Sequence, residues 1–183
     1  MNRIARRLIV VDLENLLGCS PEVASDSCWE RALAGALEAV EYRAESDHLV
    51  IGVGPDWVFT AAALAPQARL VTRAGRDGAD DVLCEWLEDV DDVVARYRDV
   101  VIASGDHAFI RPMRRLAAVG RPAILAALPS QAAMGIDYFA DQVLWLERPA
   151  NVLGDAAYVS IADGMRRVAT ARHRGADALA LAA

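Results

Sequence analysis

Two apolar runs in this chain each end in an aspartate. Leu8-Ile9-Val10-Val11 leads into Asp12, and Val100-Val101-Ile102-Ala103 leads through Ser104-Gly105 into Asp106. Continuous apolar runs of this length fit strands buried on both faces, as in a parallel sheet. A carboxylate at the end of such a strand is costly unless a cationic partner meets it there. A third acidic element, Asp77-Gly78-Ala79-Asp80-Asp81, opens a stretch of helical periodicity. Asp80 shares a face with Leu83, Cys84 and Leu87 and is expected to point at the sheet, ahead of Asp81, which stacks with Glu85. Glu88, Asp89, Asp91 and Asp92 read as a solvated helix face. Asp12, Asp80 and Asp106 on one sheet edge would repel one another, and a cluster of oxygens suits a hard cation, Mg2+ or Mn2+. Most of these residues also have a purely structural use. Asp77 fits an N-cap, Asp80 favours the helix dipole from the first turn, Asp106 can cap the helix after it, and Asn15 suits a turn with positive φ. Asp12, at a strand end, has no cap to make.

The elements that must position these residues alternate along the chain. After the first strand and a turn with Gly18, Ser20 and Pro21, the spacing predicts a helix over 29–43 and a strand over 48–53. Asp56 is expected to cap a short helix ending at Leu64, before Pro66. A short strand over 69–71, a loop over 75–78, a helix over 79–96 and the second acidic strand over 100–104 follow. A helix over 109–119 stops at Gly120, and strands over 123–128 and 142–146 flank a short segment around Ala132 and Met134. This order predicts an α/β fold: a three-layer, open, mostly parallel sheet with helices on both faces, Rossmann-like in plan. Ligands of such sheets bind at the carboxyl ends of the strands, where strand order reverses, and Asp12 and Asp106 both fall on that edge. Residues 1–150 are expected to form this domain. Residues 151–183 are expected to form an extension, helical over 158–170 and a tail over 172–183.

Composition narrows the chemistry. The 183 residues are 55% hydrophobic and carry a net charge of −7, which fits a compact core and does not mark a general nucleic-acid binder. All 19 basic residues are arginine, so no mechanism needing a lysine ammonium is available. Cys19, Cys28 and Cys84 are odd in number and form no close pair in the sequence, which suits reduced thiols. The first apolar run is only a strand long and contains Asp12, so neither a signal peptide nor a membrane span is expected, and a cytoplasmic location follows.

Asp12-Leu13-Glu14-Asn15 resembles the D-x-x-N start of the NYN domains, a branch of the PIN-like ribonucleases. Gly78-Ala79-Asp80 resembles that family's K-G-x-D helix start, and Ser104-Gly105-Asp106 its S-G-D-x-D-F motif. Phe109, Arg114-Arg115-Leu116 and Gly120-Arg121-Pro122 follow the family pattern into the next strand, and Ala140-Asp141 matches a recurrent pair before the last one. The resemblance spans residues 8–146. It implies a PIN-like fold and a metal-dependent ribonuclease. In that reading Asp12, Asp80 and Asp106 hold Mg2+ or Mn2+, and Asn15 orients a water or a substrate phosphate. The expected partner is RNA, single-stranded or structured, with no membrane; a homodimer remains open. Because the net charge repels RNA, local arginines would have to bind it. Arg111, Arg114 and Arg115 follow Asp106, Arg73 and Arg76 flank the third acidic element, and Arg166, Arg167, Arg172 and Arg174 form a basic tail. Singly, each of these also reads as a solvated surface arginine.

Two departures from the family pattern stand out. Ala108 replaces the second acid of S-G-D-x-D-F, and Asp77 stands where the basic residue precedes the glycine, with Arg76 one place earlier. His107 and Glu14 are available to add to the pocket, though His107 reads better as a solvent-facing loop histidine and Glu14 equally fits a surface position. Ala108 therefore favours an alternative, a catalytically degenerate PIN-like module that binds RNA or protein without cutting. A haloacid-dehalogenase-like phosphatase is a smaller alternative through Asp12 and Ser104, but Glu14 breaks its D-x-D and the chain has no lysine.

Overall fold

In the computed structural model, which describes residues 6–150, the first apolar run forms strand β1, Arg7–Asp12. Strands β2 (His48–Gly52), β3 (Arg69–Val71), β4 (Asp99–Ala103), β5 (Ala123–Ala127) and β6 (Ala140–Trp145) join it in one sheet of order β3-β2-β1-β4-β5-β6. Every pairing is parallel. The fold is therefore α/β with an open sheet. Strand order reverses at β1, which pairs with β2 on one side and β4 on the other.

Side chains alternate along each strand, so the central strands feed two cores. Ile9, Val11, Ile51 and Val101 face helix α1 (Asp26–Ala39) and α2 (Val58–Leu64) through Trp29, Leu33 and Ala61. Leu8, Val10, Val50, Val100 and Ile102 face the other way, onto α3 (Gly78–Trp86), α4 (Val90–Arg96) and α5 (Ile110–Ala118) through Leu83, Val93, Met113 and Leu116. Helices thus cover both faces, giving three layers. Each fully buried Leu, Ile or Val contributes on the order of 1.5–3 kcal/mol.

Several boundaries differ from expectation for local reasons. The helix expected over 79–96 is two helices. Asp89 interrupts it by accepting a hydrogen bond from Asp92 N at 3.0 Å, so it caps α4 rather than continuing α3. Asp56 lies inside a 3-10 turn, Pro55–Trp57, and its side chain caps nothing; the following helix begins only at Val58. Helix α1 starts at Asp26 and stops at Ala39, because Glu41 takes a left-handed conformation with φ of 51°. The segment after β5 is a loop followed by a 3-10 turn, Ile136–Phe139.

The chain divides into the units Met1–Pro149 and Ala150–Ala183. The helix expected over 158–170, the tail over 172–183 and Arg166, Arg167, Arg172 and Arg174 lie outside the described residues. Among the described residues no helix is long and apolar enough to cross a membrane.

Candidate functional site

Asp12 is the last residue of β1 and is 4% exposed. It lies beside the carboxyl end of β4, since Val11 pairs with Ala103 and the next residue of each strand reaches the loops above. Both of its carboxylate oxygens are held: Oδ1 accepts from Asn15 N at 3.2 Å and Oδ2 from the buried Ser104 hydroxyl at 2.8 Å. The same hydroxyl accepts from Asp106 N at 3.0 Å, so Ser104 links the two strand-end acids. Asn15 makes a second link. Its Oδ1 accepts from Gly105 N at 2.8 Å, tying the loop after β1 to the loop after β4. Asn15 does not have positive φ. The expected turn role gives way to that of a brace.

Asp80 stands in the first turn of α3, half-buried, and its carboxyl group comes close enough to that of Asp12 for the two to interact directly. Leu83, one turn on, seats the helix over Gly52 of β2; a Cβ on Gly52 would come within 2.6 Å of that leucine. This approach brings the helix start to the sheet edge. Asp106 caps the 3-10 turn that follows it, its Oδ1 accepting from Ala108 N at 2.8 Å with His107 Nδ1 at 2.9 Å. That engagement turns one oxygen toward its own loop, while its charge still acts on Asp80. Among the described residues no group of three or more His, Cys, Asp or Glu is arranged to hold a metal ion. The structure joins Asp12 to Asp80 and places Asp106 beside the pair, short of a closed three-ligand cage.

The electrostatics follow from burial. Desolvation, then the charge of Asp80, pushes the Asp12 carboxyl well above its ordinary value of 3.8; the bonds from Ser104 and Asn15 oppose this. Desolvation also raises Asp80, against the interaction with Asp12 and with help from the charges of Asp106, Asp77 and Glu14. Cys84, one turn beyond Asp80, is pushed up to about 12 by burial and by these acids, so its thiol is no nucleophile near neutral pH.

Glu14 belongs to the rim of this site. It is half-buried, and its Oε1 accepts from Gly54 N at 2.6 Å. His107 is 83% exposed at its side chain. Of the expected basic residues, Arg111 and Arg115 line a cavity between α3 and α5, together with Arg73, while Arg114 and Arg76 are exposed and do not line it. Sequence reasoning left Ser104 out of the site. The signal was its place directly after a buried strand, where a hydroxyl has few uses besides holding a polar neighbour. The three cysteines are reduced thiols, as expected, and Cys19 folds back toward Cys28. Burial and that neighbour push the Cys28 thiol up to about 11. The 3-10 turn Asn15–Leu17 and Gly18 make this return possible.

No family model matches the chain, and no curated protein matches it. Among solved structures, the chain is similar to the crystal structure of a protein of unknown function from Vibrio parahaemolyticus. The two are 13% identical with a TM-score of 0.56, over 83% of this chain and 99% of that one. The likeness concerns the fold.

Proposed function

We propose that the chain is a NYN-type, PIN-like nuclease that hydrolyses RNA phosphodiesters with a divalent cation at Asp12 and Asp80. The observation that carries this reading is the close approach of two acids from different elements, one of them buried, at the strand-order switch. Two carboxylates in contact in a low-dielectric site cannot both stay ionised unless a proton or a cation lies with them. The donors are all oxygen, which fits Mg2+ or Mn2+ better than a softer metal. Asp12 and Asp80 would hold the cation, with the outward oxygen of Asp106 as a further donor. When bound, the cation supplies a more acidic water and offsets the charge that builds on the phosphate.

The chain's own residues perform the positioning. Ser104 and the backbone of Asn15 fix the Asp12 carboxylate, so little reorganisation is needed when a ligand arrives. Asn15 locks the β1 and β4 loops together through Gly105. Asp12 has donors on both oxygens, which suits a ligand-holding group better than an attacking nucleophile and weighs against the phosphatase alternative.

The test is cleavage of a labelled single-stranded RNA by purified protein with Mg2+ or Mn2+, compared with Asp12→Asn. Metal-dependent cleavage that the substitution abolishes is the expected result. Equal cleavage by the variant would overturn the reading. One observation favours a second reading, a PIN-like module that binds RNA or protein without cutting: Ala108 stands in place of the second acid of the loop. Absence of both cleavage and calorimetric metal binding would select that reading.

A further inference from the structure

We propose that the groove between α3 and α5 is a nucleotide subsite beside the acidic pair. It holds a backbone phosphate of single-stranded RNA on Arg111 and Arg115, and the exocyclic amine of the attached base on the opposite, acidic wall. The inference rests on the nuclease reading and specifies a part of the substrate.

The groove has a volume of about 320 Å3, enough for one nucleotide at the small end of ligand pockets. Its floor is continuous with the candidate site. Cys84 follows Asp80 by one turn of α3, about 5.4 Å along the helix axis, and its Sγ donates to the Ala108 carbonyl oxygen at 3.7 Å, two residues beyond Asp106. A strand crossing the acidic pair therefore has this groove as its next resting place.

The two walls carry opposite charge. Arg111 and Arg115 lie one turn apart on α5 and share a face. Neither meets a carboxylate or other acceptor among the described residues, whereas Arg7, Arg73, Arg96 and Arg98 are all ion-paired. Two uncompensated guanidiniums with ten N–H donors between them match a phosphate. Arg115 is also half-buried, so solvent screens its charge less than that of a fully exposed arginine. Across the groove stand Asp81, Glu85 and Glu88. Arg73 binds Glu85 at 2.8 Å and its charge also reaches Asp81, while neither Asp81 nor Glu88 makes an ion-pair contact among the described residues. Those carboxylates repel a phosphate and accept from an amine. The backbone is thereby directed to α5 and the base to α3, and the acidic wall favours bases that carry an exocyclic amine over uracil, which has none.

The experiment measures binding of 2′-O-methylated, cleavage-resistant oligo-C and oligo-U of equal length by fluorescence anisotropy, across a salt series. Proteins are the full chain, R111A/R115A and D81N/E88Q, each checked for native circular dichroism. Wild type is expected to bind oligo-C more tightly than oligo-U. The arginine double variant should lose affinity for both by about tenfold, with the log K against log salt slope reduced by about 0.7, the value for one phosphate on a single strand. The acidic-wall variant should level the two affinities. Unchanged affinity and salt slope in R111A/R115A, or no RNA binding by wild type, would overturn the subsite. Cleavage of unmodified RNA is followed in parallel. Asp12-dependent cleavage with R111A/R115A behaving as wild type would sink the subsite and keep the nuclease; arginine-dependent binding without cleavage would do the reverse.

Discussion

At the scale of single residues, the candidate site is built on one buried acid, Asp12, whose two oxygens are held by donors that belong to the protein. Asp12 and Asp80 both titrate above the ordinary aspartate value. Groups raised in the fold contribute stability below the unfolded value of 3.8, and that contribution is lost as pH rises through the higher folded values. Metal-free protein should therefore become less stable as pH rises above about 4. Asp80→Asn, which removes one charge, is expected to flatten that decline in melting curves recorded with a chelator. It should also abolish cleavage. A divalent cation at 100 times its Kd should restore about 2.7 kcal/mol to wild type and nothing comparable to the variant. A cation shift of equal size in both proteins would show that the metal binds elsewhere. Ser104→Ala removes a donor to Asp12 and the acceptor of Asp106 N together. A stability loss of about 1–3 kcal/mol in urea titration is expected, together with slower cleavage.

At the scale of elements, the site depends on close approach and on breaks in helices. Gly105 is needed because a Cβ there would lie 2.5 Å from the Gln131 carbonyl oxygen, and Ala133 N donates to the Gly105 carbonyl oxygen at 2.8 Å. Gly105→Ala should displace the loop after β5 or the Asp106 loop, at a cost of about 1–3 kcal/mol. Cleavage should fall along with it. The break between α3 and α5's neighbour α4 is a separate device. Asp89→Ala should cost about 1 kcal/mol through the lost cap and leave the activity of folded molecules unchanged, since the residue is remote from the pair. The break was legible only in part. Val82, Leu83, Trp86, Val90, Val93 and Val94 keep a helical rhythm across it, so periodicity alone reads one helix. The side-chain bond of Asp89, among several neighbouring acids, made the difference.

At the scale of the whole molecule, the two ends of the sheet have different work. The carboxyl end carries the acids, while the amino end carries an ion pair that pins β1. Arg7 binds Asp47 at 2.6 Å and also donates to the carbonyl oxygens of Val40 at 2.9 Å and Glu41 at 2.8 Å. Burial alone would raise Asp47, but bonds from Arg7 and Arg43 N, with the Arg7 charge, outweigh it and hold the carboxyl below 3.8. Stability from this pair is present above the unfolded value and lost as pH falls through the lower folded value, opposite in sign to the acidic pair. Arg7→Ala leaves Asp47 buried without its cation and should cost about 3 kcal/mol, read by denaturant midpoint. Cleavage per folded molecule should not change, because the pair lies at the far end of β1 from Asp12.

The architecture was legible in the sequence because strands buried on both faces must be apolar throughout. Leu8–Val11 and Val100–Ala103 announce a parallel sheet, and an acid directly after the first and three residues after the second places two carboxylates at its carboxyl edge. Asp80 was legible too, since its helical spacing to Leu83 fixes its face. Other features came only from tertiary structure. Contacts across long sequence separations decide them: the Ser104 hydroxyl on Asp12, the Asn15 brace on Gly105, and the groove that sorts Arg111 and Arg115 from Arg114 and Arg76. Local pattern reports which face a residue occupies. Which partner waits on that face depends on how the helices seat against the sheet.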